Sequence, residues 1–153
     1  MAGRIESNGV GAAWLDWGGT GDALVLLHPN GFCAGVYDPL ARRLATGHRV
    51  VGIDLRGHGD SDDVVDPMLL GNDMMASDAL AVLEHLGIDR FAVVGVSSGG
   101  AVGGEMAAVA PDRVTALVLC EAVAIDARVR EDQLFGFVDG PDGPIHPLAV
   151  GAR

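Results

Sequence analysis

Four short, mainly apolar runs, separated by segments of helical pattern, constrain the fold of this chain more than any other feature. The runs lie at Ala23 to Leu27, Val50 to Leu55, Phe91 to Val96 and Val114 to Cys120. Such runs are typical of strands that are buried on both faces. Because the intervening segments are long enough for crossover helices, the pattern predicts an α/β fold with a mainly parallel sheet and helices on both of its faces.

The segments around these runs complete the predicted order of elements. Residues 4–16 are expected to form two strands around Asn8-Gly9, a favoured hairpin turn. Apolar spacing predicts helices at Val36 to Ala45, Asn72 to Leu86 and Gly99 to Val109. This gives six strands at most, and the pattern weakens after Glu121. We therefore expect residues 1–125 to form the α/β unit and residues 126–153 to form a loop tail or the start of a cap.

Charge and composition exclude several classes of partner. The net charge is −11, so phosphate backbones and anionic membrane surfaces would repel the chain. No apolar run reaches about 18 residues, which disfavours a membrane span. Cys33 and Cys120 form no CxxC pair or zinc-ligand spacing, so we expect two buried thiols and no metal site. A cytoplasmic protein that binds neither nucleic acid nor membrane is the resulting expectation.

The third apolar run leads directly into the pattern Gly-x-Ser-x-Gly. Gly95, Ser97 and Gly99 occupy its fixed positions, and a small-residue helix follows. Between a strand and a helix, this pattern is typical of a sharp turn that exposes a nucleophilic serine hydroxyl. The following helix directs free N–H groups towards developing negative charge. The alternative interpretations are a glycine-rich turn without activity and a phosphate-binding turn; the second is disfavoured because GxGxxG and GK[ST] are missing.

Two further loops make the sequence resemble the α/β-hydrolase superfamily. His28-Pro29-Asn30-Gly31-Phe32 follows the first apolar run, and residues 54–61 read Asp-Leu-Arg-Gly-His-Gly-Asp-Ser, similar to the family's D-x-R-G-x-G-x-S loop. The resemblance covers about residues 20–120. It implies that the backbone N–H of Asn30, or of Phe32 as a weaker alternative, forms half of an oxyanion hole. The N–H of Ser98 would form the other half.

The same resemblance leaves the rest of a catalytic triad in question. The family's chain order is serine, acid, histidine, which disfavours Asp54 and His58 as partners of Ser97. Glu121 follows the fourth apolar run and is the candidate acid. His146 is the only histidine after Ser97, and it lies far too early to match the family's catalytic histidine.

These observations predict a serine hydrolase that cleaves ester or related acyl bonds of a small molecule through an acyl-enzyme on Ser97, without metal or cofactor. We expect the chain to be an N-terminal portion that lacks the catalytic histidine and is inactive alone. The alternatives are a cofactor-free haloperoxidase and a non-catalytic binding module. Because the strand at Val114 to Cys120 would form an exposed apolar edge, we also expect self-association through it.

Overall fold

The computed structural model describes residues 1–123, 138–140 and 143–145. Residues 1–123 contain a six-stranded sheet. Its strands are β1 (Ala2–Ser7), β2 (Val10–Gly18), β3 (Ala23–Leu27), β4 (Arg49–Asp54), β5 (Phe91–Val96) and β6 (Val114–Cys120). The strand order is β1-β2-β4-β3-β5-β6. Strands β4, β3, β5 and β6 run parallel, whereas β1 and β2 add antiparallel neighbours at one side.

The hairpin between β1 and β2 forms where the sequence predicts it. Asn8 and Gly9 both have positive φ angles, of 48° and 76°. Positive φ at two successive residues is the requirement of the tight hairpin turn that matches the twist of the strands. The hairpin is tied to the rest of the fold by Ser7, whose hydroxyl donates to the buried Asp78 carboxylate at 2.8 Å.

Within residues 1–123, three α-helices cover the sheet: α1 (Asp38–Leu44), α2 (Asn72–His85) and α3 (Ser98–Val109). Short 3₁₀ turns at Ala34–Tyr37 and Pro67–Leu70 precede α1 and α2. The predicted helix over residues 36–45 is therefore divided into two parts. Pro39 lies in the first turn of α1, where its missing N–H is tolerated, so α1 begins there as a separate helix.

Alternate residues of the central strands fill two separate cores, so the helices lie on both faces as predicted. Val25, Leu27 and Val93 pack with residues of α2 and α3. Leu26 and Val50 pack instead with residues of α1. This alternation is what a sheet that is covered on both faces requires.

Two findings extend the sequence prediction. Residues 126–153, expected to be a loop tail or the start of a cap, contain two short strands, β7 (Val138–Gly140) and β8 (Gly143–Ile145), which pair as a hairpin of their own. The six strands predicted for the α/β sheet are confirmed, and this hairpin forms a second sheet apart from it. Among the described strands, β6 pairs with β5 alone, and Val118 and Leu119 on it are 49% and 40% exposed.

No helix in the described part of the chain is both long and apolar enough to cross a membrane.

Candidate active site

Ser97 occupies a strained backbone position between β5 and α3. Its φ and ψ angles are 53° and −116°, in a region that residues other than glycine rarely adopt. Such strain persists only where the surroundings enforce it, and it concentrates at functional sites. Ser97 is half-buried and sits at the carboxyl end of a central parallel strand, immediately before the first turn of α3.

The glycines around Ser97 are required by close backbone packing. A Cβ atom on Gly99 would overlap the Leu27 carbonyl oxygen and lie 2.7 Å from that of His28. A Cβ on Gly95 would lie 2.7 Å from the Cα of Gly100. Carbonyl and Cα atoms of the backbone cannot move aside as a flexible side chain can. The turn at Ser97 is therefore pressed directly against the end of β3, where the loop of residues 28–32 begins.

Glu121 follows β6, and residues beside it in the chain are hydrogen-bonded to the main chain of Ser97. The Ser97 N–H donates to the Cys120 carbonyl at 2.9 Å, and the Val123 N–H donates to the Ser97 carbonyl at 3.3 Å. Residues 120–123 therefore bracket the main chain of Ser97. Glu121 itself has a φ of 51°, and its side chain is exposed. Two neighbouring parallel strands are thus each followed directly by a residue with left-handed backbone, Ser97 after β5 and Glu121 after β6.

The candidate oxyanion-hole donors differ in their availability. The Phe32 N–H closes a turn by donating to the Pro29 carbonyl at 3.2 Å. Within residues 1–123, the backbone N–H groups of Asn30 and Ser98 donate to no other protein atom. The Ser98 N–H is free because it lies in the first turn of α3, where no carbonyl of the preceding turn exists to accept it. Asn30 is exposed on the loop that leaves β3.

His28 is buried and has both ring nitrogens occupied. Its Nδ1–H donates to the Pro29 carbonyl at 2.9 Å, and its Nε2 accepts from the Leu55 N–H at 3.0 Å. Burial lowers the pKa of His28, and the neighbouring His58 adds to this effect, while the Pro29 carbonyl and Asp54 oppose it. A neutral imidazole in this fixed tautomer joins the loops after β3 and β4, and it has no free nitrogen for proton transfer.

Asp54 has a similar structural role at the end of β4. Its carboxylate accepts from the Ala34 N–H at 2.6 Å and from the Asp60 N–H at 2.9 Å, and it is 5% exposed. Ser61 donates to the Asp54 carbonyl at 2.6 Å and accepts from the Ala13 N–H at 2.8 Å. The loop of residues 54–61 is therefore a scaffold that holds the loop of residues 28–34 in place.

His58 makes a contact that the sequence does not indicate. Its Nε2 lies 2.8 Å from the Asn30 Oδ1, and its Nδ1 lies 3.0 Å from the Arg56 carbonyl. The sequence disfavours His58 as a triad member because of chain order, but it does not suggest that His58 reaches Asn30. The available signal is that both residues follow strands whose carboxyl ends meet at one edge of the sheet.

Comparison with known proteins places this arrangement in a family. Residues 22–148 match the family described as the alpha/beta hydrolase fold. The chain belongs to the α/β-hydrolase fold family. Similar curated members include proteins named as esterases, a dehalogenase, a haloperoxidase and an acetyltransferase component.

Three members of the α/β-hydrolase family illustrate the likeness. The acetyltransferase component of an acetoin cleaving system from Pseudomonas putida is 35% identical over 88% of this chain and 36% of its own length. Esterase YbfF from Escherichia coli K12 is 33% identical over 65% of this chain and 39% of its own. The structure of Est816, described as an N-acyl homoserine lactone degrading enzyme, superposes with a TM-score of 0.73 and 30% identity, covering 78% of this chain and 45% of that one.

The chain thus spans less than half the length of these α/β-hydrolase relatives. His146, which the sequence disfavours as the catalytic histidine, lies outside the described residues. Within the described residues, no group of three His, Cys, Asp or Glu side chains is placed to hold a metal ion.

Proposed function

We propose that this chain carries the nucleophile and oxyanion hole of a serine hydrolase that cleaves ester or related acyl bonds. The Ser97 hydroxyl attacks the carbonyl carbon, the alcohol leaves, and water then hydrolyses the acyl-enzyme. The N–H groups of Asn30 and Ser98 stabilise the oxyanion, and Glu121 is the candidate acid. Two such donors each contribute roughly 100- to 1000-fold in rate.

The observation that carries this proposal is the strained backbone of Ser97 at the end of β5. A φ of 53° on a non-glycine residue has to be enforced by packing, and the close approach of Gly99 to β3 supplies that constraint. The free N–H groups of Asn30 and Ser98 support the same interpretation. A serine also fits esterase chemistry, in which the nucleophile is regenerated by deacylation.

We further propose that the general-base histidine comes from sequence beyond these 153 residues. His28 has both ring nitrogens occupied, and His58 is bonded to Asn30 and Arg56. The greater length of the relatives is compatible with a missing segment. Without the base, a serine and an oxyanion hole keep at most about 1000- to 10,000-fold acceleration over water.

Acetylation by p-nitrophenyl acetate tests the nucleophile. The sequence contains no lysine, so few amines compete for the ester. We expect a slow release of p-nitrophenolate, stoichiometric with protein and above the background from the histidines, that Ser97→Ala reduces to that background and that the exposed-serine control Ser77→Ala leaves unchanged. Equal release from the wild type and Ser97→Ala would contradict the proposal and favour a non-catalytic binding module.

Added imidazole tests the missing base. If no histidine of the chain serves Ser97, free imidazole should act in its place and raise the acetylation rate in proportion to its concentration. The measurement is the rate in the wild type minus the rate in Ser97→Ala, which removes direct hydrolysis by imidazole. A Ser97-dependent rate that is already fast and insensitive to imidazole would show that the chain contains its own base.

A cofactor-free haloperoxidase is a second candidate, because a similar phage protein is named a putative non-heme haloperoxidase. It would use the same Ser97 and the same N–H groups on a carboxylic acid. Halogenation of a phenol indicator, measured with acetate, hydrogen peroxide and bromide, separates it from an esterase.

A further inference from the structure

The side chain of Asn30 is held by a hydrogen bond to the imidazole ring of His58. Asn30 is exposed on the loop after β3, and its backbone N–H is the proposed oxyanion donor. Its Oδ1 lies 2.8 Å from the His58 Nε2, and within the described residues this is the only hydrogen bond of its carboxamide. A backbone donor on an exposed loop contributes to catalysis only if the loop is held in the productive geometry.

His58 itself is rigidly placed. Its N–H donates to the Leu55 carbonyl at 2.9 Å, and its carbonyl accepts from the Ser61 N–H at 3.1 Å. Its Nδ1 lies 3.0 Å from the Arg56 carbonyl, and its ring packs beside the buried His28 ring with centroids 5.1 Å apart. The ring therefore extends from a fixed turn towards the exposed loop.

We propose that His58 is a positioning residue for the oxyanion hole, acting through the Asn30 carboxamide. The inference rests on the proposed function, since it assigns the Asn30 N–H as a donor to the oxyanion. The bond is available in either protonation state. A charged ring donates from Nε2 to Oδ1, whereas a neutral ring with its proton on Nδ1 accepts from the amide NH₂ in the other orientation of the carboxamide.

A double-mutant cycle tests the link with His58→Phe, Asn30→Ala and the double variant His58→Phe/Asn30→Ala. A fourth variant, His58→Gln, tests whether another hydrogen-bonding side chain restores the link. Phenylalanine keeps the approximate size of the ring and removes both polar atoms. Glutamine places an amide near the position of Nε2. Asn30→Ala keeps the backbone N–H and removes only the carboxamide. His48→Phe is the matched control, because His48 is exposed and precedes β4 at the opposite end of the strand.

The kinetic readout is the rate constant for phosphonylation of Ser97 by a fluorophosphonate, whose transition state places charge on the phosphoryl oxygen. We expect His58→Phe and Asn30→Ala each to lower this rate constant by about tenfold, because small misplacements of a donor are costly. The double variant should be no slower than either single variant, since both remove the same link. His58→Gln should recover most of the rate, and His48→Phe should match the wild type.

A second readout needs no reactivity. The ¹⁵N relaxation order parameter of the Asn30 backbone amide should be about 0.85 in the wild type, as in rigid backbone, and fall below about 0.6 in His58→Phe. It should fall in Asn30→Ala as well and be restored in His58→Gln. An Asn30 amide that stays equally rigid in His58→Phe would overturn the inference, as would additive rate losses in the double variant.

The two proposals fail in different ways. Phosphonylation that is unchanged in Ser97→Ala would overturn the proposed function, while the relaxation data would still decide whether His58 orders Asn30. Phosphonylation of Ser97 at one rate in the wild type and in His58→Phe would overturn only the positioning role.

Discussion

Strands β3 and β6 are both apolar runs, yet they have very different environments. Val25, Leu26 and Leu27 on β3 are at most 1% exposed, whereas Val118 and Leu119 on β6 are 49% and 40% exposed. β3 lies between β4 and β5 with helices on both faces, and β6 pairs with β5 alone among the described strands. Apolar content therefore predicts the strand, but its neighbours determine how much of it is buried.

The largest expected difference in stability is between truncating a leucine of β3 and truncating a leucine of β6. Leu26→Ala should lower the free energy of unfolding by about 2–5 kcal/mol, because it leaves a cavity in the core beneath α1. Leu119→Ala removes the same atoms from an exposed site and should cost less than about 1 kcal/mol. Urea denaturation followed by circular dichroism measures both. Equal losses would mean that β6 is as well covered as β3.

The close contact between β3 and the turn at Ser97 gives the next effect. Gly99→Ala places a methyl group against the Leu27 and His28 carbonyls, so it should destabilise the protein by about 1–3 kcal/mol. Gly47→Ala is the control, because nothing lies within 4 Å of the added Cβ, and its effect should stay within about 0.5 kcal/mol. The comparison fails if Gly99→Ala unfolds at the same urea concentration as the control.

The buried imidazole after β3 predicts a dependence on pH. Since burial lowers the pKa of His28, this residue takes up a proton at a higher pH in the unfolded chain than in the folded chain. This contribution to stability is complete above the unfolded pKa of about 6.5 and is lost as pH falls below it, with a slope of at most about 1.4 kcal/mol per pH unit. Urea midpoints measured from pH 7.5 to 5 should fall less steeply in His28→Gln. Identical slopes would contradict a buried, neutral His28.

The exposed edge of β6 predicts the smallest effect. An unblocked apolar edge strand favours pairing between chains, so we expect the protein to self-associate at high concentration. Val118→Lys should weaken association by about tenfold, because a lysine on an edge strand opposes such pairing. Analytical ultracentrifugation at several concentrations measures this, with Val65→Lys as the control on an exposed loop residue. A wild-type chain that stays monomeric would contradict the prediction.

The sequence predicts most of the sheet because its signals are local. The apolar run at Phe91 to Val96, the Asn8-Gly9 turn and the parallel direction of most strands follow from composition and from helix lengths. The short hairpin of β7 and β8 could not be predicted in this way. It lies in a segment rich in glycine and proline, where no periodic apolar pattern is present.

The candidate site was predictable only in part. The motif around Ser97 and the turn at Asn30 are each a continuous stretch of sequence. The contact between His58 and Asn30 joins loops 28 residues apart, and the left-handed backbone of Glu121 arises where residues 120–123 bond to Ser97. Both depend on the tertiary fold, which local patterns do not encode.

The most direct test of the central claim is to map where a fluorophosphonate reacts. Folded protein is treated with less than one equivalent of the reagent, digested and analysed by mass spectrometry, with urea-denatured protein as the reference. We predict a single adduct on Ser97, formed at least about 100-fold faster in the folded protein, since the proposed oxyanion hole requires the folded chain. An adduct spread over several of the five serines at equal rates in both states would contradict an activated nucleophile at Ser97.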